Sequence, residues 1–310
     1  MKPRIVLEPK IDAHDSALYQ PDCLASGVDG FENVTDQQLA DYDQQGYLLV
    51  RGGYSPVEVD LAKRELKAMT LSDSPACEAV YYEGAIRDHL AALATERDRY
   101  LDGDSLDNLA LGQNLDGLPP LDPVTRAGFV RKFSGFVDTH PALAAFARKP
   151  ALINLIERLT GQPSRLFQDM AMIKPPQGRE KPWHQDHAYF NLPLDSRIVG
   201  VWIPLASVTP ENGCMHLLAG AHRAGPHIHF KRRDWQICDT DIFGQTCTAV
   251  PMAAGDVLLF DAKLPHGTPT NQSHQQRWAV QFHYVSQAVT EVDNQVRLDA
   301  FGSEGKDVTC

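Results

Sequence analysis

The spacing of hydrophobic and polar positions changes near residue 161. Before it, apolar residues recur at helical intervals between clear start and stop signals. Thr35-Asp36-Gln37-Gln38 forms a capping box, in which the Thr35 hydroxyl and the Gln38 amide satisfy orphan N–H groups. Leu39 and Tyr42 give that helix a short apolar face, Gly46 ends it, and Tyr47-Leu48-Leu49-Val50 predicts a strand. Ser55-Pro56-Val57-Glu58 is a second start: Ser as N-cap, Pro at the first helical position, Glu three residues on. That helix is expected to run to about Met69. A helical pattern covers 84–98, and NLDGLPPLDP (114–123) reads as a loop. Residues 141–160 read as two short helices divided by Pro150 and ending at Gly161. Residues 1–34, rich in Asp, Gly and Pro, predict irregular chain.

After Gly161 the runs are short, β-branched or aromatic, and punctuated by Gly, Pro, Asn and Asp. Strands are expected at Arg165–Ile173, Arg197–Leu205, Gly213–Leu218, Thr246–Val250, Gly255–Phe260 and Arg277–Val285. Many short strands at this interval predict a sandwich or barrel, not a doubly wound sheet. No GxGxxG, Walker A or GxSxG motif is present.

Charge narrows the possible partners. Lys and Arg total 29 against 40 Asp and Glu, a formal net charge of −11. Neither phosphate backbones nor anionic headgroups are drawn to such a surface, so nucleic acid and membrane are not expected partners. The six cysteines, Cys23, Cys77, Cys214, Cys238, Cys247 and Cys310, form no CxxC pair and predict scattered reduced thiols. The N-terminal stretch lacks an apolar signal core, no run reaches the about 18 apolar residues of a membrane span, and the C-terminal GKDVTC is neither a peroxisomal SKL-type address nor a prenylation box. The expected compartment is the cytoplasm.

The candidate chemistry sits in the β-rich half. In Trp183-His184-Gln185-Asp186, residues two apart on an extended strand face the same way, so His184 and Asp186 can grip one ion. His266 on a neighbouring strand would complete the set. Two imidazoles and one carboxylate leave three positions open on an octahedral metal, as non-haem ferrous oxygenases require. Zinc is the competitor, although closed structural zinc sites use four ligands and favour Cys. His-x-Asp by itself is expected by chance among 12 histidines and 40 acids. The second constellation changes the reading. HGTPTNQSHQQR puts Arg277 eleven residues after His266, across a turn-rich segment. His266 would end one strand and Arg277 open the next, where a planar guanidinium can clasp a carboxylate of a keto diacid.

At this point the sequence resembles the phytanoyl-CoA dioxygenase family of iron(II)/2-oxoglutarate-dependent oxygenases. The segments that carry the resemblance are DQQGYLLVRGGYSPVEV (43–59), MIKPPQGREKPWHQDHAYF (172–190), VGVWIPLASVTPENGCMHLLAGAHRAG (199–225) and AGDVLLFDAKLPHGTPTNQSHQQRWAVQFHY (254–284). Residues 71–130 carry little of it. The resemblance implies a mainly β fold with flanking helices and a double-stranded β-helix core, a cupin-like jelly roll. One unit over 1–310 is expected, with a helical part at about 35–161 and the jelly roll at about 162–290.

The resemblance also implies that His184, Asp186 and His266 bind Fe(II) and that Arg277 clamps the distal carboxylate of 2-oxoglutarate. Gln168 is the candidate for its C1 carboxylate, Thr268 or Ser273 for a hydroxyl to the distal end. Lys174 is either a co-substrate contact or a solvated lysine, and Trp202 is expected in the barrel wall. The implied reaction consumes O2, releases succinate and CO2, and hydroxylates an unactivated C–H bond of a small polar or anionic molecule. Related halogenases have Ala or Gly where this chain has Asp186, which implies hydroxylation or another oxidation here. A metal-dependent cupin-type enzyme without 2-oxoglutarate, and a non-catalytic ligand-binding relative, are the alternatives; Arg277 separates the oxygenase from the first, and the presence of all four expected site residues speaks against the second.

The remaining motifs have plainer readings. His222, His227 and His229 are expected at the surface or in a substrate pocket, His187 on the face opposite the triad, and His216 and His283 as hydrogen-bonded core residues. Lys231-Arg232-Arg233 and Arg131-Lys132 are basic clusters that either lie solvated or attract an anionic substrate. GPHIHFKRRDWQICD (225–239) predicts a long loop overhanging the iron, a candidate lid in which Trp235 anchors the loop or lines the pocket.

Overall fold

A computed structural model describes residues 2–96, 102–115 and 117–305. Two sheets face each other. Among the described residues the larger has nine strands, in the spatial order Arg4–Leu7, Ala79–Tyr82, Val130–Ser134, Ser164–Lys174, Arg277–Ser286, Val199–Pro204, Val257–Asp261, Tyr47–Arg51 and Val28–Asp29. The smaller has five: Cys23–Leu24, Thr248–Val250, Met215–Leu217, His266–Thr268 and Lys181–His184. The paired sheets form the expected jelly roll.

The helical start signals work as read. Thr35 N–H donates to Gln38 Oε1 at 3.0 Å, and Gly46, at φ +79°, closes Asp36–Gln45. Ser55 N–H donates to Glu58 Oε2 at 2.8 Å at the head of Pro56–Leu71. That helix buries Val59, Ala62, Leu66 and Met69 along one stripe. Pro150–Thr160 buries Leu152, Leu155, Ile156 and Leu159 against the outer face of the large sheet.

The outer face of Arg277–Ser286 presents Val280, Phe282 and Tyr284 to this helical layer. Its inner face presents Arg277, Ala279, Gln281 and His283 to the space between the sheets. Alternation therefore turns every second residue of this stretch to the helical layer and the others to the space between the sheets, where Arg277 and Gln281 reach the cavity.

Several expectations need correction. Residues 1–34 are not wholly irregular: they supply Arg4–Leu7, Cys23–Leu24 and Val28–Asp29, each short and at or near a sheet edge. Helix Ile86–Glu96 matches the predicted pattern, whose end at 97–98 lies outside the described residues. Gly103–Ala110 and Pro123–Phe129 are further helices that the reading missed, each capped by an Asp side chain. Segment 225–239 is no open loop. It forms the hairpin His229–Lys231 and Trp235–Ile237, held down by Arg233. The five described cysteines are free thiols, and Cys310 lies outside the described residues. No helix among the described residues is long and apolar enough to cross a membrane.

Candidate active site

His184 ends the strand Lys181–His184 and stands directly opposite His266, which opens His266–Thr268 rather than ending a strand. The imidazole centroids are 4.3 Å apart. Gln185 stays extended at φ −112° and ψ 130°, and Asp186 begins a 3-10 turn. The chain thus turns one residue earlier than the expected strand, yet one extended residue suffices to put His184 and Asp186 on the same side. Gln185, on the other side, is fully buried. Its amide donates to the carbonyls of Gly225 (2.9 Å) and Lys263 (2.6 Å), and its Oε1 accepts the His227 N–H at 2.7 Å. This anchorage fixes the pitch of both neighbours.

His184 Nε2 lies 3.2 Å and His266 Nε2 3.6 Å from Asp186 Oδ1. Donors on one face of an octahedron sit about 3 Å apart when bonds are about 2.1 Å long and at right angles. The tautomers fit as well. His184 Nδ1 is 2.7 Å from Pro182 O and His266 Nδ1 2.8 Å from Leu264 O. A carbonyl only accepts, so both Nδ1 atoms carry the proton and both Nε2 lone pairs face the ion site. Burial pushes the His266 imidazole down to about 4. Burial alone would raise the Asp186 carboxyl, but His266, His283 and His184 hold it well below the usual range. These three residues can hold a metal ion.

The second oxygen of Asp186 is held separately. His283 Nε2 donates to Oδ2 at 2.8 Å and Gln281 Nε2 at 2.9 Å, both from the inner face of Arg277–Ser286. His283 is buried, as expected of a core histidine, but its partner is a candidate ligand. Nothing in the sequence around it signals this; only the register of the sheet brings it there.

Beyond the triad lies a cavity of about 360 Å³. Arg277 opens its strand opposite Lys174, and its guanidinium carbon is 5.2 Å from the Trp202 ring. Trp202 is therefore wall and lining together. Arg277 Nε and Nη1 are buried with no hydrogen-bond partner among the described residues. Burial, then the nearby Arg131, lowers Arg277 to about 10. Lys174 is not solvated. Its Nζ donates to Thr268 Oγ1 at 2.9 Å, Thr268 O at 3.2 Å and Pro269 O at 2.5 Å. Burial, then Arg277 and Arg131, depresses it well below the ordinary lysine value. Two buried cations, neither bonded to a carboxylate among the described residues and one of them, Arg277, with two orphan nitrogens, make a place for an anion. Gln168 lines the same cavity across from His283, with its Oε1 unpartnered.

Ser273 does not join this group. Its hydroxyl donates to Asn271 Oδ1 at 2.7 Å inside the turn, away from the cavity. Asn271, which the sequence reading passed over, shapes that turn. Its Nδ2 donates to the carbonyls of Lys174, Pro175 and Gln275, and so sets the approach of Lys174 to Thr268.

The other motifs also resolve. His229 is buried, accepts the Gln185 N–H on Nε2 at 3.0 Å, and is no surface residue. His187 packs near Phe301 and His216 near Tyr19, neither of them in the ion site. Arg233 is neutralised by Glu180 (2.7 Å) and Asp239 (2.7 Å), and Lys231 and Arg232 are exposed, so the run does not line the cavity. Trp235 lines the cavity from the hairpin, where Tyr189 OH donates to its carbonyl.

What these walls enclose is the working set of a 2-oxoglutarate-dependent non-haem iron oxygenase, and that is the class the fold and site define. The family model for phytanoyl-CoA dioxygenase matches residues 42–279, more than three quarters of the chain. The chain belongs to the phytanoyl-CoA dioxygenase family. It is 23% identical over 266 residues to phytanoyl-CoA dioxygenase domain-containing protein 1 of Danio rerio, covering 81% of this chain and 90% of that one. It is 27% identical over 158 residues to the peroxisomal phytanoyl-CoA dioxygenase of Homo sapiens, covering 46% of each; that match spans about half of the human protein. Among solved structures, EvdO2 from Micromonospora carbonacea var. aurantiaca superposes with a TM-score of 0.60 at 22% identity, over 87% of this chain and 97% of that one. EctD from S. alaskensis, solved with 2-oxoglutarate and 5-hydroxyectoine, gives 0.56 at 20% identity, over 98% and 87%. At these identities the likeness carries the fold.

Proposed function

We propose that this protein hydroxylates an unactivated C–H bond of a small, polar or anionic molecule, with release of succinate and CO2. In this reading His184, Asp186 and His266 hold Fe(II). Arg277 pairs with the distal carboxylate of 2-oxoglutarate, assisted by Lys174 and Thr268, and Gln168 orients the C1 end. When bound, the ferrous ion supplies the redox chemistry that couples decarboxylation of the keto acid to oxidation of the substrate.

The chain's own part is positional and electrostatic. Gln281 and His283 hold Asp186 Oδ2, so that Oδ1 alone is turned to the ion site. The Nδ1 bonds keep both imidazoles in the ligating tautomer. The buried site excludes bulk water and strengthens each charge within it. The observation that carries the reading is the buried Arg277 guanidinium, with two unpartnered nitrogens in the same cavity as the His-Asp-His set.

The single-unit organisation and the cytoplasmic location belong to the same proposal, as does a small molecule rather than nucleic acid or membrane as partner. Strand Arg4–Leu7 from the front of the chain lines the same cavity as the jelly roll, which supports one unit. The test is an anaerobic titration of the protein with ferrous iron and 2-oxoglutarate, followed by oxygen uptake and succinate release across a substrate panel. A metal-to-ligand charge-transfer band and stoichiometric succinate are expected. Iron binding without a keto-acid complex would overturn the reading.

A further inference from the structure

We propose that the N-terminal strand Arg4–Leu7 is the outer wall of the substrate cavity, and that Arg4 and Lys132, on either side of Tyr81, recognise the charged group of a small organic anion. This rests on the oxygenase reading and names the substrate class of that site. The strand precedes the stretch that matches the family model, residues 42–279.

The sheet register builds the subsite. Val6 stands opposite Tyr81, Tyr81 opposite Lys132, and Lys132 opposite Met172. Residues directly opposite in a ladder share a face, so this row runs along one side of the sheet, the cavity side. The adjacent row runs from Arg4 through Ser134 and Met170 to Gln281, which holds Asp186. Two strand spacings, about 10 Å, separate the backbone of Lys132 from that of the strand bearing Gln281. Met170 and Met172 lie between, a surface for a short apolar body. The whole cavity is about 360 Å³ and houses the co-substrate too, which keeps the substrate small.

Charge bookkeeping singles out the same two residues. In a chain of net charge −11, the cavity is lined by seven Lys or Arg against four Asp or Glu. Arg131 is paired with Glu83, Arg179 with Glu8, and Lys181 with Asp234. Arg277 and Lys174 face the co-substrate, and Asp186 the metal. Arg4 and Lys132 are left, and neither has a carboxylate partner among the described residues. Tyr81 organises both: its hydroxyl accepts from Arg4 Nη2 at 3.1 Å, and Lys132 Nζ lies 3.9 Å from its ring centroid. The strand itself is clamped. Arg87 donates to the carbonyls of Leu7 and Glu8, and Arg179 Nη2 binds Glu8 at 2.7 Å.

The experiment titrates the iron- and 2-oxoglutarate-loaded protein, without oxygen, with hexanoate, hexylphosphonate, hexan-1-ol and hexylamine, read by calorimetry and by the shift of the ferrous–2-oxoglutarate band. The two anions are expected to bind at least tenfold more tightly than the alcohol and the amine. In the Arg4→Ala/Lys132→Ala protein that preference is expected to fall below threefold, while 2-oxoglutarate affinity and melting temperature stay at wild-type values. Equal affinity for all four probes, absence of binding by any, or a preference that survives the double substitution would overturn the subsite. If the wild-type protein forms no ferrous–2-oxoglutarate complex, the oxygenase reading falls first and the subsite with it, a failure visible before any probe is added.

Discussion

Replacing Arg277 with Met should separate co-substrate binding from folding. Arg277 is 4% exposed, its guanidinium lies near the Trp202 ring, and two of its nitrogens have no partner among the described residues. A carboxylate clasped by its fork gains two charge-assisted hydrogen bonds of about 1.5–3 kcal/mol each. Their loss amounts to about 3–6 kcal/mol, and Lys174 and Thr268 remain to soften it. The lower end is therefore expected: roughly a 100-fold weaker 2-oxoglutarate complex, at about 1.4 kcal/mol per tenfold. Folding should respond in the opposite sense. Arg277 contributes to the depression of Lys174, so removing one of two neighbouring buried cations relieves repulsion without opening a large void. Arg277→Lys keeps charge but not the fork and should fall between the two. The assay is an anaerobic 2-oxoglutarate titration of the iron-loaded protein beside a thermal melt of the metal-free one. Co-substrate affinity within tenfold of wild type, or a melting temperature several degrees lower, would refute the argument.

Three further outcomes follow from the same geometry. His283→Phe removes one of two donors to Asp186 Oδ2 and should weaken iron binding about 10- to 100-fold in a chelator competition; unchanged affinity would show that Gln281 suffices. Gly200→Ala places a Cβ 2.5 Å from the Phe260 ring, which itself packs 4.8 Å from His266, so a loss of about 1–3 kcal/mol in denaturant unfolding is expected, and a neutral result would mean the ring can yield. Burial lowers His187 and His216 to about 4 and His229 to about 3, all below the unfolded value near 6.5. The unfolded chain then binds protons that the folded one refuses. Stability should be full above pH 6.5 and fall as pH drops toward 4, by about 1.4 kcal/mol per unit for each residue, and a flat denaturation midpoint between pH 7 and 5 would contradict it.

How far the sequence reveals the site depends on the range of each signal. The capping boxes at Thr35 and Ser55 are local and appear as read. Arg277 opens a strand in the same cavity as His266, eleven positions after it, across the short turn-rich connection read from the sequence. Gln281 and His283 were illegible for a different reason. Their strand is buried on both faces, so apolar Val280 and Phe282 alternate with residues equally hidden, and hydropathy does not tell cavity from core. Arg4 reaches the cavity only through a parallel pairing with Ala79–Tyr82, more than seventy residues away, which no local pattern announces. Arg233 misled because a basic run looks the same whether solvated or neutralised by Glu180, from more than fifty residues earlier, and by Asp239, brought back by the hairpin that follows.

The histidines make the distinction sharpest. His184, His216, His229 and His266 each direct Nδ1 at the carbonyl two residues earlier: Pro182, Cys214, His227 and Leu264. The local device is one and the same, and it fixes the same tautomer in all four. What differs is what Nε2 meets. For His184 and His266 it is Asp186 Oδ1, for His229 the Gln185 N–H, and for His216 the neighbourhood of Tyr19. Ligand character is thus not a property of the histidine or of its nearest neighbours in sequence. It arises where two strands of the small sheet set two such histidines opposite each other, and where the large sheet supplies Gln281 and His283 to turn a single carboxylate oxygen toward them. On this argument a histidine moved one residue along either strand would keep its carbonyl bond and still lose the ion.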